Sequence, residues 1–172
     1  MRVYIPATLA MLQQLVADGT LAPRSGTAFA VTPTLRESYA EGDDEELAEV
    51  AIGEAALASM RLLALDGEGE GADPADGALP LRRAVLVADA EATARPDLDD
   101  AVVRVSGPVT LDQVVAAYVD NAEAEPAVKA AIAVVDAADL GDEDAEFVVG
   151  DAQDHALAWY ATQELPFLLD LL

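Results

Sequence analysis

Apolar and polar positions alternate at the start of the chain. In RVYI, Val3 and Ile5 share one side and Arg2 and Tyr4 the other, the two-residue period of a strand that Pro6 ends. Thr8 then stands where a helix cap belongs, and Leu12, Leu15 and Val16 recur at helical spacing until Gly19 stops the run. TAFAV (27–31) predicts a second strand, and Thr34 and Glu37 have capping-box spacing for a short helix ending near Gly42. Asp43 and Glu46 repeat that spacing and open the longest helix, 44–65. Its apolar side carries Leu47, Ala51, Ala58, Leu62 and Leu65.

AVLVA (84–88) lacks alternation, as an interior strand covered on both faces does. AVVRVS (101–106) predicts another strand, joined to the first through the polar DAEATARPDLDD as a long hairpin loop. Thr110 and Gln113 form a further capping pair, and Leu111, Val114, Val115, Tyr118 and Val119 continue at helical period. Pro126 fits the first turn of a helix reaching Ala138, with Val128, Ala131, Ile132 and Val135 buried. The β-branched AEFVV (145–149) predicts a strand, and Asp151 and Asp154 open a last helix that Pro166 ends or bends. The tail PFLLDLL either docks on the core or meets another subunit. This order of elements suits neither a doubly wound sheet nor a barrel. It predicts an α+β fold, a mixed and partly antiparallel sheet packed against several helices. A single domain over 1–172 is expected, interrupted at 66–80 by the flexible acidic loop DGEGEGADPADGALP.

Charge narrows the partners. Thirty-three acids against nine bases give −24, the wrong sign for nonspecific binding to nucleic acid or an anionic membrane. The absence of cysteine excludes disulfides, thiol catalysis and thiolate metal sites. No run reaches the roughly 18 apolar residues of a membrane span. The opening is no signal peptide, because Pro6 breaks its short apolar run, so a cytoplasmic location is the expectation. No nucleotide-binding or nucleophile-elbow motif occurs, and no cofactor is implied.

The candidate chemistry is sparse. DAQDHALAWY holds the chain's one histidine, His155, and its one tryptophan, Trp159, four residues apart and so on one side of the expected helix. The imidazole could serve as a base, and His155 and Trp159 are candidate ligand contacts, but the sequence offers no nucleophile and no HExxH spacing, and packing is the expected role of the pair. Asp66, Glu68, Glu70 and Gly71 imitate half of a calcium loop, yet Gly77 stands where the bidentate glutamate belongs. Asp89, just past the AVLVA strand, is the candidate metal ligand. Arginines are scarce, so Arg2 and Tyr4 on the first strand, Arg24 and Arg104 are the candidate ligand contacts; ion pairs with neighbouring acids are the simpler account.

MRVYIPATLAMLQQLVADG, SGTAFAVTPTLRESYAEGDDEELAEVA and DHALAWYATQEL together resemble an uncharacterised family of small acidic proteins from actinobacteria. The resemblance covers most of the chain outside 66–80. It implies a cytoplasmic protein from a GC-rich bacterium and assigns no residue a role. The leading expectation is a non-enzymatic interaction or structural protein, self-associating through apolar helix faces as a homo-oligomer. A small metal-assisted hydrolase using Asp89 or His155 and a small-molecule-binding regulatory module are the alternatives. A concave pocket joining His155 or Asp89 to an arginine would favour the alternatives. An apolar patch spanning Trp159, Phe167 and Leu168 would favour association.

Overall fold

The computed structural model describes residues 1–39, 41–66 and 79–172. Its elements are β1 (Arg2–Ala7), α1 (Leu9–Asp18), β2 (Thr20–Leu21), β3 (Thr27–Phe29), α2 (Pro33–Ser38) and α3 (Asp44–Leu65). They continue with β4 (Ala84–Asp89), β5 (Ala92–Ala94), β6 (Val102–Val105), β7 (Val109–Thr110) and β8 (Val114–Val119). The chain closes with α4 (Glu125–Asp139), α5 (Glu143–Gln153), β9 (Ala158–Ala161) and α6 (Leu165–Asp170). Seven strands form one sheet in the order β5-β6-β3-β1-β4-β8-β9, and β2 pairs with β7 apart from it. Every pairing is antiparallel, so the fold is α+β. The strands near 84 and 101, consecutive in the expected order, are separated in the sheet by β1 and β3.

The sheet is covered on both faces. Val3, Ile5 and Leu86 point to one side, where Leu12 and Leu15 of α1 and Leu165 of α6 meet them. Tyr4, Phe29, Val85 and Val87 point to the other, under Leu47, Ala51 and Ala55 of α3. The alanines let the helix axis approach the sheet closely. The hairpin of α4 and α5 packs against the second half of α3, through Met60, Leu63, Val128, Ile132 and Val149. Among the described residues, no helix is long and apolar enough to cross a membrane.

Local chemistry explains the helix ends. Thr8 caps α1 by accepting from the Met11 N–H at 3.2 Å, and Gly19 at φ 77° closes it by donating to the Leu15 carbonyl. Asp43 caps α3 through the Glu46 N–H, as the spacing predicts. The short helix α2 starts earlier than expected, because Thr32 rather than Thr34 supplies the cap.

Five expectations are corrected. Pro6 does not end β1: pairing with β3 is confined to Tyr4, so no donor is needed on that side farther along. The segment 89–100 is not all loop, since it contains β5, which pairs with β6. The Thr110–Gln113 pair is real, with the Thr110 N–H donating to Gln113 Oε1, but it starts only a 3-10 turn before strand β8. Residues 145–149 lie in α5, capped by Asp142, and are not a strand. The expected last helix stops at Gln153, so His155 sits in a turn and Trp159 in a strand; Pro166 opens α6 instead of ending a helix. Positions four apart in Ala-rich segments imitate a helix, while a strand buried on both faces shows no alternation to contradict it.

One side chain ties the layers together. The buried Ser59 hydroxyl of α3 donates to the Ala7 carbonyl at 2.7 Å and accepts from the Ala84 N–H at 3.0 Å, bridging the paired ends of β1 and β4. Ser59→Ala orphans a buried donor and a buried acceptor. It should cost about 2–4 kcal/mol in urea unfolding; a loss below about 0.5 kcal/mol would mean that the strands close without the bridge.

Candidate functional site

Arg83 precedes β4 and Asp120 follows β8, just beyond the paired residues Ala84 and Val119. Register therefore places the two side by side. The guanidinium donates to Asp120 through Nε at 2.8 Å and Nη2 at 2.7 Å, and the Arg83 backbone N–H donates to the same carboxylate at 2.8 Å. Both side chains are out of water, at 3% and 0% exposure. Nη2 also donates to the His155 carbonyl at 2.7 Å, fastening the turn between α5 and β9 to the sheet. Nη1 forms no hydrogen bond among the described residues.

An open cleft of about 630 Å³ lies between α3 and that turn. Arg83, Tyr118, Gln153, His155 and Leu157 line it, facing Glu49, Ile52, Gly53 and Ala56 of α3. The size falls in the ordinary range for ligand pockets. Glu54 also borders the cleft, and burial raises its carboxyl above the usual range, reinforced by Asp99 and opposed by Arg61. Gly53 is unusual: it stands mid-helix, where glycine weakens a helix, yet nothing lies within 4 Å of where a Cβ would be. No packing demands it, and its bareness keeps the cleft wall low.

The residues expected to do chemistry are placed as follows. Arg2 and Asp89 face each other across β1 and β4 and pair at 2.8 Å, so the candidate metal ligand and a candidate ligand contact occupy each other. The Arg2 guanidinium holds the Asp89 carboxyl below the usual carboxylate range. Tyr4 is core beneath α3, and its burial pushes the phenol up. Arg24 pairs with Asp66 at 3.0 Å. Arg104 is exposed on β6, opposite Thr27 and Thr93. None of the three expected arginines lines the cleft; Arg83, which sequence reasoning did not single out, takes that place. Apart from Asp66, the half calcium loop lies outside the described residues. Among the described residues, no three of His, Asp and Glu converge on a metal position.

Trp159 is 57% exposed on β9, opposite Tyr118 of β8 and so on the α3 side of the sheet. Phe167 is exposed on α6, which covers the other side, and Leu168 is buried at 7%. These three residues therefore form no common patch. What the cleft offers chemically is an imidazole, a phenol, an amide and two carboxylates around a committed arginine. No serine, threonine, cysteine or lysine lines it among the described residues.

Two outcomes follow. Asp120→Ala leaves a buried guanidinium unpaired and should cost about 3–5 kcal/mol in chemical denaturation; a loss under about 1 kcal/mol would mean that water reaches the site. Gly53→Ala should stabilise the protein by about 0.5–1 kcal/mol. A destabilising Gly53→Ala would show that the helix needs the glycine for packing.

No curated protein and no solved structure matches the chain. A family model matches residues 1–169, nearly the whole length. The chain thus belongs to the family of unknown function DUF6912.

Proposed function

We propose that this protein is a non-enzymatic interaction protein that presents the β9 side of its sheet to a partner. The observation that carries the reading is Trp159, the chain's one tryptophan, held largely exposed on the sheet's last strand beside an open cleft. Tryptophan is enriched among the residues that anchor protein interfaces, and this one stands next to a concave surface. Phe147 on α5 is also exposed, at 78%, among Glu143, Glu146, Asp151 and Asp154. Three of the carboxylates that could have served catalysis are held by arginines: Asp89 by Arg2, Asp66 by Arg24, and Asp120 by Arg83. A cytoplasmic setting agrees with the family resemblance.

A second reading, a small-molecule-binding regulatory module, is favoured by the cleft itself, where His155 and Arg83 share one concave surface. In that reading Arg83 supports the floor and Tyr118, Gln153 and His155 orient the ligand.

Thermal melts in millimolar magnesium, manganese or zinc, matched in ionic strength with sodium chloride, separate interaction from metal-assisted hydrolysis. The interaction reading expects each divalent ion to act as sodium does at equal ionic strength. A metal-specific stabilisation of several degrees, abolished by His155→Ala or Asp89→Asn, would overturn it.

A further inference from the structure

We infer that the open edge of β9 docks a cationic, extended segment of another protein, which adds an eighth strand to the sheet. This rests on the interaction reading above and gives it a partner chemistry and a mode of binding.

The backbone supplies the first argument. The Ala161 N–H donates to Glu164 Oε1 at 3.1 Å, outside the ladder with β8. Neighbouring residues of an antiparallel strand send their N–H and C=O groups in opposite directions, and alternate residues send them the same way. The Trp159 N–H and C=O therefore face away from β8. β9 ends the strand order, so among the described residues no strand meets them. Natural sheet edges are commonly guarded by charge or proline, yet β9 reads AWYA. Glu164 holds the Ala161 N–H on this edge, and the Trp159 N–H and C=O remain as the donor and acceptor for an incoming strand.

Side chains supply the second. Trp159 lies on the α3 side of β9, and Leu157, two residues earlier on the same side, lines the cleft. Side chains on that side of an added strand would pass over the indole and reach the cleft mouth near Leu157 and His155.

Charge supplies the third and chooses the occupant. The 43 residues after Lys129 contain ten acids and neither lysine nor arginine. Exposed Asp154 and Glu164 bracket β9 at its two ends. A lysine or arginine set over Trp159 would gain a cation–π contact in an acidic field. A second copy would bring the same base-free strand and another −24 of charge, so it is the poorer occupant.

The probe is a fluorescein-labelled octapeptide of alternating lysine and valine, titrated against the full chain by anisotropy. Two controls accompany it: the alternating glutamate–valine octapeptide, and the lysine–valine peptide N-methylated at alternate amides. The N-methyl peptide keeps the charge and cannot pair along one edge. Saturable binding of the first peptide is expected, weakening as salt rises. N-methylation should weaken it about tenfold or more, and Trp159→Ala about fivefold to tenfold. Hydrogen exchange should show new protection at the Trp159 amide. Equal binding of the N-methylated peptide, or protection confined to other elements, would overturn strand addition while leaving the interaction reading standing. Absence of binding together with a dimer in sedimentation velocity, its exchange protected at β9, would replace the cationic partner with a second copy. A metal-specific stabilisation that needs His155 would remove the interaction reading itself, whatever the peptides do.

Discussion

Taking a guanidinium and a carboxylate out of water costs several kcal/mol for each ion, and the geometry must recover it. Arg83 and Asp120 do so with two side-chain hydrogen bonds, a backbone N–H to the same carboxylate, and a further bond from Nη2 to the His155 carbonyl. The last of these reaches beyond the pair. It fixes where the chain turns after α5, hence where β9 begins and how Trp159 is displayed. The same bond sets one wall of the cleft. The far edge of the sheet is thus held by a polar anchor, while the centre is held by close-packed apolar side chains.

The layers around that anchor decide which surfaces remain open. α3 lies low on the sheet because Ala51 and Ala55 face it, and Gly53 leaves its outer wall bare at the cleft. The α4–α5 hairpin covers only the second half of α3, so the first half borders open space. On the opposite face, α1 and α6 close the sheet with leucines. The exposed aromatic of β9 and the cleft therefore fall on the same side. Trp159 belongs to the stretch after Lys129, which carries no lysine or arginine, whereas Arg83, the arginine lining the cleft, is committed to Asp120.

Much of this architecture is legible in the sequence where local chemistry decides it. Thr8, Gly19, Asp43 and Pro126 mark helix ends by capping or ring geometry, and β4 follows from its unbroken apolar run. Legibility fails where alanine blurs the period. In β8, the spacing of Val114, Tyr118 and Val119 satisfies a helical pattern although the strand is packed on both faces. His155 and Trp159, four apart, likewise imitate neighbours on a helix but belong to a turn and a strand. The site was half visible: His155 stood out as the chain's one imidazole, whereas Arg83 finds its partner 37 residues away. Only strand register brings that pair together, and no local pattern encodes it. The single hint was an arginine directly before a buried apolar run, a costly position unless a carboxylate awaits it.

The buried pair, through the His155 carbonyl, holds the sheet's outer edge. Hydrogen exchange on a double variant, Arg83→Met with Asp120→Leu, tests this most directly, because apolar replacement of a buried ion pair can preserve the fold. The Ala158 and Tyr160 amides, which face β8, should exchange about tenfold faster or more, while β1 and β4 keep their protection. Unchanged exchange across β9 in a folded double variant would contradict the account.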